Sequence, residues 1–424
     1  MSVDEPIISC RASHNAEEAL SNSAGSQPKV AAAIRGRFTD VILRVHNVIV
    51  RVERVAMKFL ARIFVSATAL IAASGACAAT FEQLAAQANA AREADRIPQA
   101  IQLYKEALQL KPAWPDGWWY LGTLFYDGDQ YESGRKAFAE FVKLEEKAAP
   151  GWAFLGLCES ETGDYAHALE HIRRGLEIGT GIEPASEQVI RFHEALLLTR
   201  TGLFDQASPR FMPFVRRGVH DPTLIAGIGL TALHEQLLPK EVPPERRELI
   251  ASVGETVYLW MSGDTTKTGP AFQALLERYP NAVGVHFLYA TYLLSFRPAE
   301  EALAELKREL ELNAHSADAR AMVALIAMRA GSESAALPIA RQAAQDGPMC
   351  PMAQYAYGLL LASSGDLRGA IEHLETAERL DPANVEYHMG LAGAYSKAGR
   401  HGDARRERRT SIAIAKESDP HGPG

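Results

Sequence analysis

The sequence predicts an all-α protein, an α-solenoid of repeated helix-turn-helix units, and three observations carry that expectation. Sliding the chain against itself by 34 residues aligns Leu84, Trp118 and Trp152, and blocks beginning at Val283, Ala317, Pro351 and Val385 follow one another without an insertion. In that phase the eighth position reads Ala88, Gly122, Gly156, Ala195, Ala290, Ala324, Gly358 and Ala392, and the twentieth reads Ala100, Gly134, Ala168, Ala207, Ala302, Ala336, Ala370 and Ala404. Ala and Gly form about a quarter of the chain, so an unbroken run of small residues at both positions arises by chance on the order of once in ten billion trials. The third observation is punctuation. Gly163, Gly202, Gly331, Gly365 and Gly399 fall midway through their units, where a first helix must stop, and Pro112, Pro280, Pro348 and Pro382 fall where a second must end.

Each unit therefore reads as two antiparallel helices that touch where both present a residue no larger than Ala. Larger side chains fill the space beside those contacts: Leu121 and Phe125 with Phe138, Leu155 with Ile172, Leu198 with Phe211, and Tyr357 and Leu361 with Leu374. One stretch breaks the phase. The block from Gln188 to Asp221 is offset by five residues, a helical pattern without a mate runs from Pro222 to Leu238, and Pro239 with Pro243 and Pro244 precedes a helix opened by Glu245. The solenoid is expected to turn or flex there, as an N-terminal lobe (80–238) and a C-terminal lobe (239–418) followed by a tail (419–424), or to run on as one superhelix.

The first 79 residues lie outside this pattern. From Met57 the chain reads Met57-Lys58-Phe59-Leu60-Ala61-Arg62, then an uncharged run to Phe81, with Ala76-Cys77-Ala78 as a small-residue cleavage site. A basic start, an apolar stretch and such a site make a secretory signal over 57–79, with residues 1–56 an upstream extension and Met57 the expected start. Two alternatives stand beside cleavage: retention of 63–81 as a membrane anchor, or lipidation at Cys77, against which Ser74 stands where a lipobox usually has Leu. Only these would give membrane contact, and the expected location is the periplasm or cell envelope.

Composition narrows function by exclusion. The 424 residues are 47% hydrophobic and 23% charged, with a net charge of -8; residues 1–79 hold 9 basic and 6 acidic residues, leaving 35 against 46 for the remainder. A surface of that sign repels phosphates, so nucleic acid is not an expected partner. Cys10, Cys77, Cys158 and Cys350 are too few and too scattered for a disulfide framework or a zinc site. Gly263-Asp264-Thr265-Thr266-Lys267-Thr268 lacks the second Gly of a phosphate loop and reads as a turn. His286 and His388 hold the fourth position of their units, a packing place, and Cys350 has no partner that would activate it. No catalytic, cofactor or metal constellation is expected.

Trp118, Leu121-Gly122, Phe125 and Phe138, with Leu374, Ala377 and Pro382, resemble the tetratricopeptide repeat family from about Phe81 to Lys416. Phe141, where the family usually has Ala, and Thr180, in place of a closing Pro, depart from it. The resemblance implies a right-handed superhelix whose first helices line a concave groove. It places Trp119, Thr123 and Tyr126 on that wall, then Leu157, Phe192 and Leu196, then Phe287 and Thr291, Leu325 and Met328, and Tyr355 and Leu359. An alternative for each is contact with the next repeat. Of the Lys and Asn that clamp a peptide carboxylate in some members, only Asn89 is present, with Ala85 in a Lys position. The apolar, aromatic wall suits an amphipathic helix or extended apolar peptide. Arg405, Arg406, Arg408 and Arg409 read as the solvated cap of the last helix. The expected function is a non-enzymatic exported scaffold or adaptor binding a protein or peptide; the alternatives are a membrane-tethered assembly factor and the recognition arm of an enzyme.

Overall fold

The structure, a computed structural model, describes residues 79–179 and 181–418. The upstream extension, the 57–79 signal up to Ala78, Cys77, Thr180 and the 419–424 tail lie outside the described residues. Within them the chain is an α-solenoid of nineteen α-helices and no strand. Four pairs come first: α1 (Phe81–Glu93) with α2 (Ile97–Leu110), α3 (Pro115–Asp127) with α4 (Tyr131–Leu144), α5 (Ala149–Thr162) with α6 (Tyr165–Ile178), and α7 (Pro184–Arg200) with α8 (Phe204–Arg216). A single helix, α9 (Pro222–Ala232), and two 3-10 turns interrupt them. Five pairs follow: α10 (Arg247–Met261) with α11 (Thr265–Arg278), α12 (Val285–Leu294) with α13 (Ala299–Leu312), α14 (Ala317–Arg329) with α15 (Glu333–Asp346), α16 (Pro351–Ser364) with α17 (Leu367–Leu380), and α18 (Val385–Lys397) with α19 (His401–Ser418).

The small positions are the helix contacts. A Cβ on Gly122 would lie 2.8 Å from the Phe138 ring, one on Gly156 2.7 Å from the Ala168 carbonyl, and one on Gly358 2.7 Å from Leu374 Cγ. Phe141 is accommodated by its neighbour: Gly151 leaves the room its ring occupies, since a Cβ there would stand 2.5 Å from it. Turn glycines 163, 202, 331, 365 and 399 all have positive φ, between 75° and 94°. In the first two units Asp95 and Asp129 take that left-handed place, at φ 58° and 55°, which Asp tolerates better than bulkier residues.

The 34-residue step also extends one unit further back than the small-residue rule reached. Gly263 (φ +78°) occupies the same turn place as Gly365, and the eighth and twentieth positions of that unit are the buried Thr256 and Thr268. The turn read over 263–268 is confined to Gly263 and Asp264: Thr265 to Thr268 are already the first turn of α11, with the Asp264 side chain capping it by accepting from the Lys267 backbone N–H. Helix α9 has no mate in sequence but finds one in space. A Cβ on Gly229 would be 2.1 Å from the Ile250 carbonyl and one on Gly254 2.0 Å from the Ile225 carbonyl, so α9 and α10 cross backbone to backbone. One buried cluster runs through this region from Ala153 past Val253 to Ile326.

A further regularity sits at the fourth position. The side-chain N–H there donates to the carbonyl six residues back in six units: Trp118 to Pro112 (2.8 Å), Trp152 to Glu146 (2.8 Å), His286 to Pro280 (3.0 Å), Arg320 to Ala314, Gln354 to Pro348 (3.1 Å) and His388 to Pro382 (2.9 Å). His286 and His388 are buried, and the other ring nitrogen of each meets a second-helix carboxylate, Glu305 at 2.6 Å and Glu407 at 2.9 Å. They fasten junctions between units.

Candidate functional site

The first helices α3, α5, α7, α12, α14 and α16 carry the residues expected on the groove wall, and these divide by burial. Trp119, Thr123, Tyr126, Phe192, Phe287, Thr291, Leu325, Met328, Tyr355 and Leu359 are half-buried. Leu157 and Leu196 are corrected: both are buried in the core, Leu196 against the place a Gly227 Cβ would take, so neither offers a surface to a ligand. Ala153 and Thr199 are likewise enclosed, Thr199 through a 2.6 Å hydrogen bond to Thr231.

Among the half-buried group the aromatics are anchored rather than free. Trp119 packs on Phe138, Phe141 and Phe154 at centroid distances of 5.7, 5.3 and 5.6 Å, and Tyr126 meets Phe154 at 5.3 Å. Phe192 lies 5.5 Å from Phe214 and Tyr355 5.0 Å from Tyr387. Each is held by its neighbours and keeps only part of its surface exposed. Thr123 and Thr291 turn their hydroxyls to their own helix, donating to Tyr120 and Phe287 carbonyls, which leaves their methyls as the wall. Asn89 is engaged by the Tyr104 hydroxyl at 2.6 Å.

The residues that sequence reasoning did not reach lie on the segment after α9. From His234 to Glu241 the chain runs back along the turn edge of the two preceding pairs as a strap. His234 stacks on Phe204 (4.6 Å, 1° between planes), and Gln236 covers Gly202. Glu241 accepts from Arg200 Nε (2.8 Å) and from the Tyr165 hydroxyl (2.7 Å), and Lys240 pairs with Glu161 at 2.7 Å. Of the prolines that read as an interruption, Pro239 lies within this strap, and Pro243 and Pro244 return the chain to α10.

On its other side the strap meets the far half of the solenoid. His234 Nδ1 lies 3.5 Å from Asp318 at the start of α14, and Gln206 on α8 donates to the Leu380 carbonyl at the end of α17, 3.2 Å away. Cys350, which caps α16, donates its S–H to Asp318 at 3.0 Å; burial, and then Asp318, push its thiol well above the usual range. This is the opposite of an activated nucleophile. No group of three His, Cys, Asp or Glu among the described residues could hold a metal ion, and no described helix is long and apolar enough to cross a membrane.

Tetratricopeptide repeat profiles match residues 85–132, 121–181, 322–372 and 361–418. The chain therefore carries tetratricopeptide repeats in both halves of its solenoid. Similar solved structures include MamA, with 19% identity over 39% of this chain and 97% of that one at a TM-score of 0.31. Yeast Tom70 shares 12% identity over 80% of this chain and 84% of its own at 0.32. YrrB, described as a tetratricopeptide repeat protein with an unusual peptide-binding site, shares 16% identity over 42% and 91% at 0.30. No curated protein sequence matches the chain.

Proposed function

We propose that this protein is a non-enzymatic scaffold or adaptor whose groove takes one apolar face of a protein or peptide partner. The observation that carries the reading is the set of half-buried side chains on the first helices α3, α7, α12, α14 and α16, from Thr123 and Tyr126 to Tyr355 and Leu359, each with part of its surface unclaimed by the core. Aromatic and Met side chains already held on one side lose little freedom when a ligand covers the other. The test uses the full chain to capture a partner from cell-envelope extract, followed by affinity measurements with that partner purified. Thr123→Glu and Met328→Glu put charge on the wall without removing a core ring, and each should weaken binding by about tenfold or more. Lys143→Glu, on the exposed side of α4, should leave affinity unchanged. Equal affinities for all three would refute the groove reading.

The location proposed is the periplasm or cell envelope, supported by the basic start, apolar run and Ala-x-Ala site between Met57 and Ala78. N-terminal sequencing of the protein from cells should begin near Ala79 or Thr80. Recovery of peptides from residues 1–56 on the mature product would sink this reading.

A further inference from the structure

The last helix carries a charge pattern that the groove does not use. At 3.6 residues a turn, Arg405, Arg409, Ile412 and Lys416 fall within about 60° of arc on α19, opposite the buried face made by Ala404, Glu407 and Ser411. All four are exposed, Ile412 by 56%, and a Cβ on Gly402 in the first turn would meet nothing within 4 Å. This crest is open to solvent and runs about 16 Å from Arg405 to Lys416.

Its cations are without partners. Arg406, to one side, holds Asp403 at 2.7 Å and Glu407 at 3.1 Å, and Glu407 also meets His388. Arg408, to the other, donates to the Ser396 hydroxyl at 2.8 Å. Both carboxylates of the helix up to Lys416 are therefore engaged and neither is exposed, whereas Arg405, Arg409 and Lys416 make no side-chain ion pair or hydrogen bond among the described residues. A solvated cap needs only polarity, of either sign. Here one sign is gathered on one crest, in a chain that has 35 basic against 46 acidic residues after position 79.

We propose that the outward face of α19 is a docking surface for an anionic phospholipid membrane, with Arg405, Arg409 and Lys416 on the headgroup phosphates and Ile412 between them.

The shape and surroundings of the crest favour a membrane over an acidic protein. It is a convex ridge, and a protein partner draws its affinity from side chains seated in enclosed pockets, whereas lipid headgroups rearrange beneath a ridge. The recess beside it, where α17, α18 and α19 meet, carries Glu372, Glu375, Glu378 and Glu407 against Arg379 and Arg406, and none of the crest cations. An acidic peptide settling there would be repelled, while a plane resting on the ridge stays clear of it. An apolar side chain among cations also fits the boundary of headgroup and acyl chain, where basic residues keep their stems in apolar surroundings and their charges in the headgroups. This contact is peripheral. It requires neither an anchor at 63–81 nor any particular ligand in the groove.

The test is flotation of the purified full chain with vesicles of phosphatidylcholine alone and with vesicles containing about a third phosphatidylglycerol. The quantity read is the ratio of the two affinities. Each basic residue near an anionic surface contributes about fivefold, so the ratio should exceed tenfold at about 0.1 M salt and fall steeply by about 0.5 M. Arg405→Gln, Arg409→Gln and Lys416→Gln together should lower it by about tenfold or more. Any preference contributed by residues 1–79 is shared by parent and variants, so this comparison isolates α19. Lys136→Gln, Lys143→Gln and Lys267→Gln together change the net charge equally at exposed lysines elsewhere and should leave the ratio as in the parent. Should the first triple variant lose helical content by circular dichroism, Arg409→Gln alone replaces it and should lower the ratio about fivefold. A parent ratio near one, a parent-like ratio in the first variant, or equal losses in both triple variants would overturn the docking surface. Retention of the parent on immobilised polyglutamate without preference for anionic vesicles would overturn it in favour of an acidic protein.

Discussion

At the scale of single residues, the fold is governed by what two helix axes allow between them. Gly122, Gly156 and Gly358 sit where a Cβ would meet a ring, a carbonyl and a branched carbon within 2.8 Å. Replacing Gly122 or the fully buried Ala370 with Leu should therefore cost roughly 1–3 kcal/mol, while Leu at the exposed Ser363 should stay within about 0.5 kcal/mol. Thermal melts of the three variants check this, and coincident curves would mean that the repeat phase is misplaced. The small-residue rule was legible in the sequence because Ala and Gly recur at fixed spacing. Its extension to Thr256 and Thr268 was not, because Thr is polar on paper. In the structure each hydroxyl donates to the carbonyl four residues back, Ser252 at 2.9 Å and Asp264 at 2.7 Å, so that only methyl-sized bulk faces the crossing. The fourth position teaches the converse. Trp, His, Arg and Gln share no hydrophobicity, but all extend an N–H far enough to satisfy a junction carbonyl, and a reading by apolar pattern alone saw His286 and His388 as packing and missed their hydrogen bonds.

Elements assemble mostly with their neighbours in sequence, and α9, which stands outside the repeat phase, packs on the next helix, α10, by an unusually close contact. Gly229 and Gly254 let α9 and α10 approach until backbone meets backbone. Unlike the Phe138 ring beside Gly122, a carbonyl on a packed helix cannot rotate aside. Gly229→Ala or Gly254→Ala should accordingly cost about 3 kcal/mol, the upper end of the range for overpacking, although each adds a single methyl. Urea unfolding monitored by circular dichroism would measure it; a loss below about 0.5 kcal/mol would show that the two helices can slide apart freely. Pairing within units was readable from periodicity because it is local. For the proposed groove wall the family positions named residues on first helices, but whether Leu157 or Leu196 faces outward depends on how much the next helix overlaps it, which spacing along one helix does not encode.

For the molecule as a whole, a simple solenoid would be held together by contacts between adjacent units alone, its stability a chain of nearest-neighbour terms. Here α8 and the strap add bonds of another kind, Gln206 to Leu380 and His234 to Asp318, and nothing in their local sequence pattern announces them, since each partner lies in a different unit. The Gln206–Leu380 bond spans 174 residues of chain. That distance has a meaning in time. Each helix pair can form and dock as soon as it leaves the ribosome, because its contacts are close in sequence. The bond from Gln206 must wait until α17 has been made and folded, so for most of synthesis Gln206 and the His234 imidazole face an empty edge. Joining those two edges comes late in synthesis, and a nascent protein stalled before Leu380 would be repetitive, helical and unfastened.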